Sequence, residues 1–158
     1  MAHVRGCDTK PELKLRKALF AKGFRYRTNV KKLPGKPDIV LRKYKSVIFV
    51  NGCFWHGHSG CKYATRPKSN VQFWENKIRT NQRRDQLRTL QLEANGWHVI
   101  TVWECSINSK QEFPKLVESL AQELHAQLYS PAKIRHYHYP TYEEAALLAA
   151  ESEPDYNI

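Results

Sequence analysis

Large apolar residues recur near the start of the chain with the spacing of one helix face. The pattern predicts a helix over residues 10–22, with Thr9 as its N-cap, Glu12 at the reciprocal position of a capping box and Gly23 as its stop. The apolar face of this helix is expected to comprise Leu15, Ala18 and Leu19, widened by Leu13 and Phe20.

Three strands are predicted next. Residues 24–30 alternate large and basic side chains, which is typical of a half-buried strand. After a Pro-Gly turn at residues 33–38, the apolar runs at residues 39–41 and 47–50 indicate buried strands at the centre of a sheet. Residues 51–66 are rich in Gly, His and Cys, so we expect an irregular loop there.

The rest of the chain predicts a long helix over residues 71–95, a strand over 97–103 and an amphipathic helix over 114–128. The resulting order α-β-β-β-α-β-α favours an α/β fold with a mixed central sheet flanked by helices. We expect one domain over residues 1–128. Residues 129–158, aromatic and then partly acidic, are expected to form a C-terminal appendage.

Composition narrows the class of protein. The chain has 158 residues, of which 41% are hydrophobic, which is too apolar for a disordered chain. The apolar runs are too interrupted for a membrane span, and the first residues do not resemble a secretory signal. We therefore expect a cytoplasmic protein with no membrane partner.

Charge indicates the kind of partner. The 26 Lys and Arg residues exceed the 15 Asp and Glu residues by eleven, a surplus that usually serves a polyanion. Nucleic acid is the first candidate, although a ribosome-associated or membrane-surface protein would carry a similar charge. No Lys or Arg follows Arg135. The acidic residues beyond it are Glu143, Glu144, Glu151, Glu153 and Asp155.

Cysteine spacing predicts a metal site. Cys53, His58 and Cys61 form a C-x4-H-x2-C pattern in the Gly-rich loop, and Cys105 follows the strand that ends at Trp103. Three thiolates and one imidazole suit tetrahedral zinc, and four protein ligands leave no open position, so this zinc would brace the loop structurally. The alternative is a set of unrelated buried thiols. The remaining cysteine, Cys7, is expected to be free.

Asp38 is a candidate catalytic carboxylate. It follows Pro37 at the head of a predicted strand, where metal-dependent nucleases often hold a ligand for Mg²⁺. The alternative is a simple turn former. A second acid and a lysine, the usual companions on the next strand, are missing around Val50.

The loop also carries Phe54, Trp55 and His56 beside the proposed zinc ligands. Exposed aromatic side chains can wedge between base pairs, and Trp74 at the start of the long helix could join them. The alternative is that Phe54 and Trp55 only cover the zinc. His56 is a candidate general base, because the ordinary pKa of histidine is near neutrality.

Four segments of the chain resemble the very short patch repair endonucleases. These segments are residues 8–12, 33–38, 47–61 and 102–105, and the likeness continues in register from about residue 5 to 107. The resemblance implies a restriction-endonuclease-like fold in a bacterial protein that acts at the nucleoid. It also implies a nick 5′ of the thymine in a T:G mismatch, the lesion left when 5-methylcytosine deaminates.

The resemblance also assigns roles to residues. It implies that Asp38 binds Mg²⁺ together with the backbone carbonyl of Val50, which explains the missing second acid. His56 matches the catalytic histidine and Glu12 an acidic residue near the active site, while the helix cap remains an equal explanation for Glu12. The implied zinc ligands are Cys53, His58, Cys61 and Cys105, and the implied intercalating residues are Phe54, Trp55 and Trp74.

The chain departs from the family pattern at Asn51, where relatives commonly carry a second active-site histidine. Asn can still orient water or phosphate. The basic arm before the first helix is almost absent, and the tail has no counterpart; its acids are expected to be solvated, or alternatively to compete with DNA. We expect a monomer acting on duplex DNA with a T:G mismatch, with mismatch-repair proteins as candidate partners. The rival functions are a nicking or restriction nuclease without mismatch specificity and a catalytically silent DNA-binding module.

Overall fold

The structure, a computed structural model, describes residues 6–129. It confirms the predicted alternation of helices and strands and adds one short helix after the last strand. The elements are α1 (Lys10–Ala21), β1 (Arg27–Thr28), β2 (Ile39–Leu41), β3 (Ser46–Asn51), α2 (Val71–Ala94), β4 (His98–Trp103), α3 (Glu104–Asn108) and α4 (Glu112–Tyr129). The proposed appendage lies outside the described residues, except for Tyr129 at the end of α4.

The four strands form one mixed sheet in the order β1-β2-β3-β4. The pairs β1–β2 and β2–β3 are antiparallel, whereas β3 and β4 are parallel, with α2 as the connection between them. The parallel register runs from Ser46 opposite His98 to Asn51 opposite Trp103. The carboxyl ends of β3 and β4 therefore finish side by side, and the predicted mixed sheet is confirmed.

Strand alternation divides the core between the two faces of the sheet. Ile39, Leu41 and Ile48 face the larger cluster, whereas Val40 and Val47 face a smaller one completed by Leu92 of α2. The larger cluster is built with side chains of α1, α3 and α4, which include Leu15, Leu19, Ile107, Val117, Leu120 and Leu124. The sheet is thus flanked by helices on both faces.

Two local predictions were wrong. The strand expected over residues 24–30 is reduced to Arg27–Thr28, because β2 offers only three residues for pairing and Phe24 turns into the core, where it is 1% exposed. On α1, Leu13 and Phe20 do not widen the buried face: they are 43% and 53% exposed. Instead, the Phe20 ring packs beneath the guanidinium of Arg25, 3.9 Å from the ring centre.

Among the helices of residues 6–129, none combines the length and the apolar character that a bilayer crossing requires.

Replacing Leu19 by Ala should destabilise the fold by about 2–5 kcal/mol, because the side chain is fully buried between α1 and the sheet and its loss leaves a cavity. Urea unfolding followed by tryptophan fluorescence measures the change. The matched control is Leu13→Ala on the same helix, for which we expect less than about 1 kcal/mol. Equal losses in the two variants would contradict the described orientation of α1.

Candidate active site and metal centre

A cleft of about 800 Å³ opens beside the carboxyl end of β3. Its walls come from the start of α1, the turn before β2, the loop after β3 and one face of α2. The charged and polar side chains in its lining include Glu12, Lys31, Lys36, Asp38, Asn51, His56, Asp85, Arg88 and Glu104. The four residues predicted from the sequence as catalytic, Glu12, Asp38, Asn51 and His56, are therefore brought together.

Asp38 stands directly before β2 with its carboxylate turned toward β3. The backbone N–H of Val50 donates a hydrogen bond to Asp38 Oδ2 at 2.7 Å. Burial raises the pKa of Asp38 to about 6; the Val50 hydrogen bond opposes this shift and the neighbouring Glu12 carboxylate adds to it. A nearby cation would lower this pKa again, so the position favours binding of a positive charge.

Glu12 stabilises the start of α1 and also lines the cleft. Its carboxylate is buried and accepts a hydrogen bond from the Asp8 backbone N–H at 2.9 Å. Thr9 Oγ1 accepts from the Glu12 N–H at 3.5 Å, so the predicted N-cap is present. The capping box differs from the prediction, since Glu12 reaches Asp8 and not Thr9. The same residue lines the cleft.

Arg16 connects α1 to the segment that carries Asp38. It is 7% exposed and forms ion pairs with Asp8 Oδ1 at 2.6 Å and Glu12 Oε2 at 3.2 Å. Its Nη2 also donates to the Asp38 carbonyl at 3.4 Å. A buried guanidinium is tolerated only when it is paired in this way. Arg16 therefore holds the helix start against the base of the cleft.

His56 is paired with an acid from α2. Its Nδ1 lies 2.5 Å from Asp85 Oδ2, and both side chains are partly buried. An ionised carboxylate only accepts hydrogen bonds, so the pairing places the proton of a neutral imidazole on Nδ1 and leaves Nε2 as the acceptor. This arrangement can take a proton from a water molecule at Nε2.

Polar side chains of α2 hold the loop that carries His56. Asn81 Nδ2 donates to the Trp55 carbonyl at 2.9 Å, and Gln82 Nε2 lies 3.4 Å from the His56 carbonyl. This close approach of the loop to α2 requires glycine at position 57, where φ is +61° and a Cβ would lie 2.6 Å from Gln82 Nε2. Helix α2 thus sets both the backbone and the side-chain partner of His56.

The parallel pairing of β3 and β4 also aligns the residues beyond each strand. Asn51 and Trp103 form the last pair, so the segment with Gly52 and Cys53 and the segment with Glu104 and Cys105 leave the sheet side by side. A Cβ at Gly52 would lie 3.6 Å from Glu104 Oε2, which places that carboxylate at the cleft.

The four predicted zinc ligands converge. The ligand atoms of Cys53, His58, Cys61 and Cys105 all lie within 4.8 Å of one another, so this group could hold a metal ion. The His58 ring stacks on Trp103 with ring centres 4.1 Å apart. Burial raises the pKa of the Cys53 thiol to about 12, whereas a bound metal ion would favour its thiolate form. Cys7 lies outside the group, as expected.

Aromatic side chains form a cluster beside the loop. Phe54, Trp55 and Trp74 contact one another edge to face, with ring centres 5.3 to 5.9 Å apart. Phe73, which was not among the predicted intercalating residues, joins Trp74 at 5.2 Å and is 57% exposed. Trp55 is 37% exposed. The cluster therefore presents an aromatic rim to solvent.

The lining or supporting residues that were missed from the sequence include Arg16, Asp85, Arg88 and Glu104. A signal existed for Arg16, because it stands four positions after Glu12 on a helix. Glu104 directly precedes Cys105 and could have been placed from the strand end. Asp85 and Arg88 lie within a highly charged helix, where nothing in the sequence distinguishes one charged face from another.

Comparison with known proteins identifies the family. A family model described as DNA mismatch endonuclease Vsr matches residues 1–62. The type II nicking enzyme V.NmeAIP of Neisseria meningitidis is 48% identical over 78% of this chain and 88% of its own length. The type II nicking enzyme V.XorIIP of Xanthomonas oryzae is 45% identical over 68% of this chain and 79% of its own. The DNA mismatch endonuclease Vsr of Escherichia coli is 37% identical over 74% and 73%.

The chain belongs to the Vsr family of DNA endonucleases. The resemblance stated from the sequence is confirmed. The predicted fold class is confirmed as well, since the family is restriction-endonuclease-like and the mixed sheet, flanking helices and Cys/His group are all present. The cleft of this Vsr-family chain therefore combines a partly buried acid with a histidine–carboxylate pair.

Replacing Asp38 by Asn should stabilise the fold at pH 8 when no divalent metal is added. The folded state raises the pKa of Asp38 from 3.8 to about 6, so between these values it binds more protons than the unfolded state. The cost of ionising Asp38 thus grows with pH through this window and is complete above it. We expect a gain of about 1–3 kcal/mol at pH 8 and a smaller gain at pH 5, measured by urea unfolding.

The matched control is Glu75→Gln, which removes an exposed carboxyl from α2 and should show no such pH dependence. An Asp38→Asn variant that is less stable than the parent at pH 8, or equally favoured at both pH values, would contradict the described environment of Asp38.

Proposed function

We propose that this Vsr-family protein is a Mg²⁺-dependent endonuclease that nicks duplex DNA 5′ of the thymine in a T:G mismatch. The observation that carries the proposal is the convergence, in one cleft, of the Asp38 carboxylate and the His56–Asp85 pair. An acid suited to a hard cation and a base suited to activating water are the two groups that phosphodiester hydrolysis needs.

Asp38 and the backbone of Val50 would hold the Mg²⁺. The chemistry of these groups fits the ion, because both offer oxygen ligands and burial makes the Asp38 carboxylate favour a cationic neighbour. The N–H and C=O of one strand residue face the same neighbouring strand, and the Val50 N–H faces Asp38. When bound, Mg²⁺ supplies charge stabilisation for the phosphate and the leaving oxygen.

His56 would act as the general base. With Nδ1 directed to Asp85, Nε2 can accept a proton from the attacking water, and the carboxylate stabilises the imidazolium that forms. Glu12 lines the same cleft but is already engaged by Asp8 and Arg16, which supports a positioning role for it. Asn51 would orient water or phosphate through its amide, without transferring a proton.

The aromatic rim would contact the duplex. Phe54, Trp55 and Trp74 lie in one cluster with an exposed edge, which suits side chains that unstack base pairs at a mismatch. The adjoining helix α2 carries further basic residues, among them Lys77, Arg83 and Arg84, which suit contact with phosphates. Covering the metal centre remains a second role for Phe54.

Zinc would occupy the group of Cys53, His58, Cys61 and Cys105 and brace the loop between β3 and α2. Three thiolates and an imidazole prefer zinc, and a complete set of four protein ligands suits a structural site. Because His56 lies between two of these ligands in the sequence, the bound ion would also fix the backbone of the proposed base.

A second candidate function is nicking without mismatch specificity. It is favoured by the relatives named type II nicking enzymes, which are more similar to this chain than the Escherichia coli mismatch endonuclease is. A silent DNA-binding module, prompted by Asn51, is less well supported because Asp38 and the His56–Asp85 pair are intact. Cytoplasmic location, a monomeric state and repair-protein partners stay predictions.

The parent protein with Mg²⁺ should nick a labelled duplex at a single T:G mismatch and leave the matched duplex intact. Asp38→Ala and His56→Ala should each reduce the single-turnover rate by at least about 100-fold, because each removes a group that acts on the reacting atoms. Denaturing gel electrophoresis locates the nick and measures the rate. Glu75→Gln, which changes an exposed residue outside the cleft lining, is the control and should retain the parent rate.

Equal cutting of both duplexes would replace mismatch repair by general nicking. Binding without cutting by the parent protein would favour the silent module, and a rate unchanged in Asp38→Ala would overturn the assigned metal site.

Cys61→Ala should lose the bound zinc and lower the melting temperature, because a structural zinc contributes directly to folding free energy. Elemental analysis of the purified protein should give about one zinc per chain for the parent and markedly less for the variant. Cys7→Ala removes a cysteine outside the ligand group and should retain the metal. Equal zinc content in both variants would refute the assigned ligand set.

A further inference from the structure

The guanidinium of Arg88 lines the cleft and has no ion-pair partner among the described residues. It stands on α2 three positions after Asp85, and both residues line the cleft together with Thr89. Residues three and four apart share one face of a helix, so the partner of His56 and this guanidinium face the same space. The proposed chemistry assigns no part to Arg88.

The turn before Asp38 is shaped around the Arg88 side chain. A Cβ at Gly35 would lie 2.7 Å from Arg88 Cδ and 3.2 Å from its Cβ and Cγ. These distances leave no room for a side chain at position 35, where φ is also +74°. The stem of Arg88 therefore rests against the segment that leads into Asp38, and its position is coupled to that of the carboxylate.

Nothing among residues 6–129 neutralises Arg88 in an ion pair. Burial lowers the pKa of the Arg88 guanidinium below its ordinary value, and the neighbouring Arg84 adds to the shift while Asp85 opposes it. Asp85 itself is engaged by His56. A partly desolvated guanidinium without a salt-bridge partner is suited to bind an anion that enters the cleft.

We propose that Arg88 binds a backbone phosphate of the DNA in the cleft and thereby positions the phosphodiester between Asp38 and His56. This inference rests on the proposed function and names a further substrate-binding residue for it. The guanidinium presents paired donors in a rigid plane that matches two phosphate oxygens, whereas an ammonium offers only a point charge. Arg88 should therefore contribute both to DNA affinity and to the rate of nicking from the bound state.

Arg88→Ala should lower the single-turnover nicking rate at saturating protein by about 10–100-fold, because the phosphate loses its fixed position. It should also reduce the slope of log K for duplex binding against log salt concentration by about 0.9, the value for one lost phosphate contact. Rapid-quench nicking assays and fluorescence anisotropy over a series of NaCl concentrations provide the two readouts.

Arg79→Ala is the matched control. Nine residues separate the two arginines, which places Arg79 roughly 180° around α2 from Arg88, and Arg79 is exposed outside the cleft lining. Removing this equal charge should leave the nicking rate at saturating protein unchanged. Arg88→Lys should retain much of the salt slope but not the rate, because it keeps the charge and loses the paired donors.

Gly35→Ala offers a second test that leaves Arg88 present. A methyl group there should displace the Arg88 stem and lower the nicking rate as well. Gly23→Ala controls for backbone strain, since its φ is +94° and its Cβ would meet nothing within 4 Å. Melting temperatures of all variants separate a lost contact from a lost fold.

An Arg88→Ala protein that stays folded and nicks at the parent rate would overturn this assignment while leaving the proposed function intact. Weaker binding with an unchanged rate at saturating protein would also overturn it, since Arg88 would then be a general phosphate contact. Failure of the parent protein to nick any duplex would instead remove the proposed function on which the inference rests.

Discussion

The parallel pairing of β3 with β4 is the constraint on which the rest of the site depends. Its register ends with Asn51 opposite Trp103, so the residues that follow the two strands emerge at one level. Cys53 and Cys105 then meet as metal-ligand candidates although they are far apart in sequence. A slip of one residue would turn each side chain of a strand to the opposite face, separating these cysteines and exposing the core at once. The hydrophobic core and the metal-ligand geometry are thus specified by the same set of backbone hydrogen bonds.

Charge in the cleft is arranged around the cost of burial. Arg16 is almost fully buried, and it is tolerated because Asp8 and Glu12 pair with it. Asp38 receives less compensation, since its side chain gains one backbone hydrogen bond while burial and the Glu12 carboxylate raise its pKa to about 6. The ionised Asp38 carboxylate therefore destabilises the fold at the position where a cation is proposed to bind. Such a local imbalance is common at functional sites, where groups are held ready for a ligand that completes their environment.

The parts of the site that could be predicted from the sequence are those whose signal is local. The C-x4-H-x2-C spacing, the Pro-Asp step before a strand and the cap at Thr9 depend on neighbours in the chain, and the structure places them as expected. Asp85 and Arg88 could not be found in this way, because their place in the cleft follows from the orientation of a highly charged helix. The shortness of β1 was missed for a related reason. Burial of the Phe24 side chain in the core stabilises the fold more than the backbone pairing of a longer β1 would.

Helix α2 contacts both the backbone of the loop that carries His56 and the His56 ring itself. Its amides at Asn81 and Gln82 hold the loop backbone around His56, and one turn later Asp85 orients the ring. The same loop contains three members of the metal-ligand group, so ordering of the loop by a metal and orientation of the histidine are parts of one equilibrium. If the loop were disordered, the hydrogen bond between His56 and Asp85 would be lost although both residues are present. Binding of a metal ion to this group would for this reason also hold the proposed base, His56, in place.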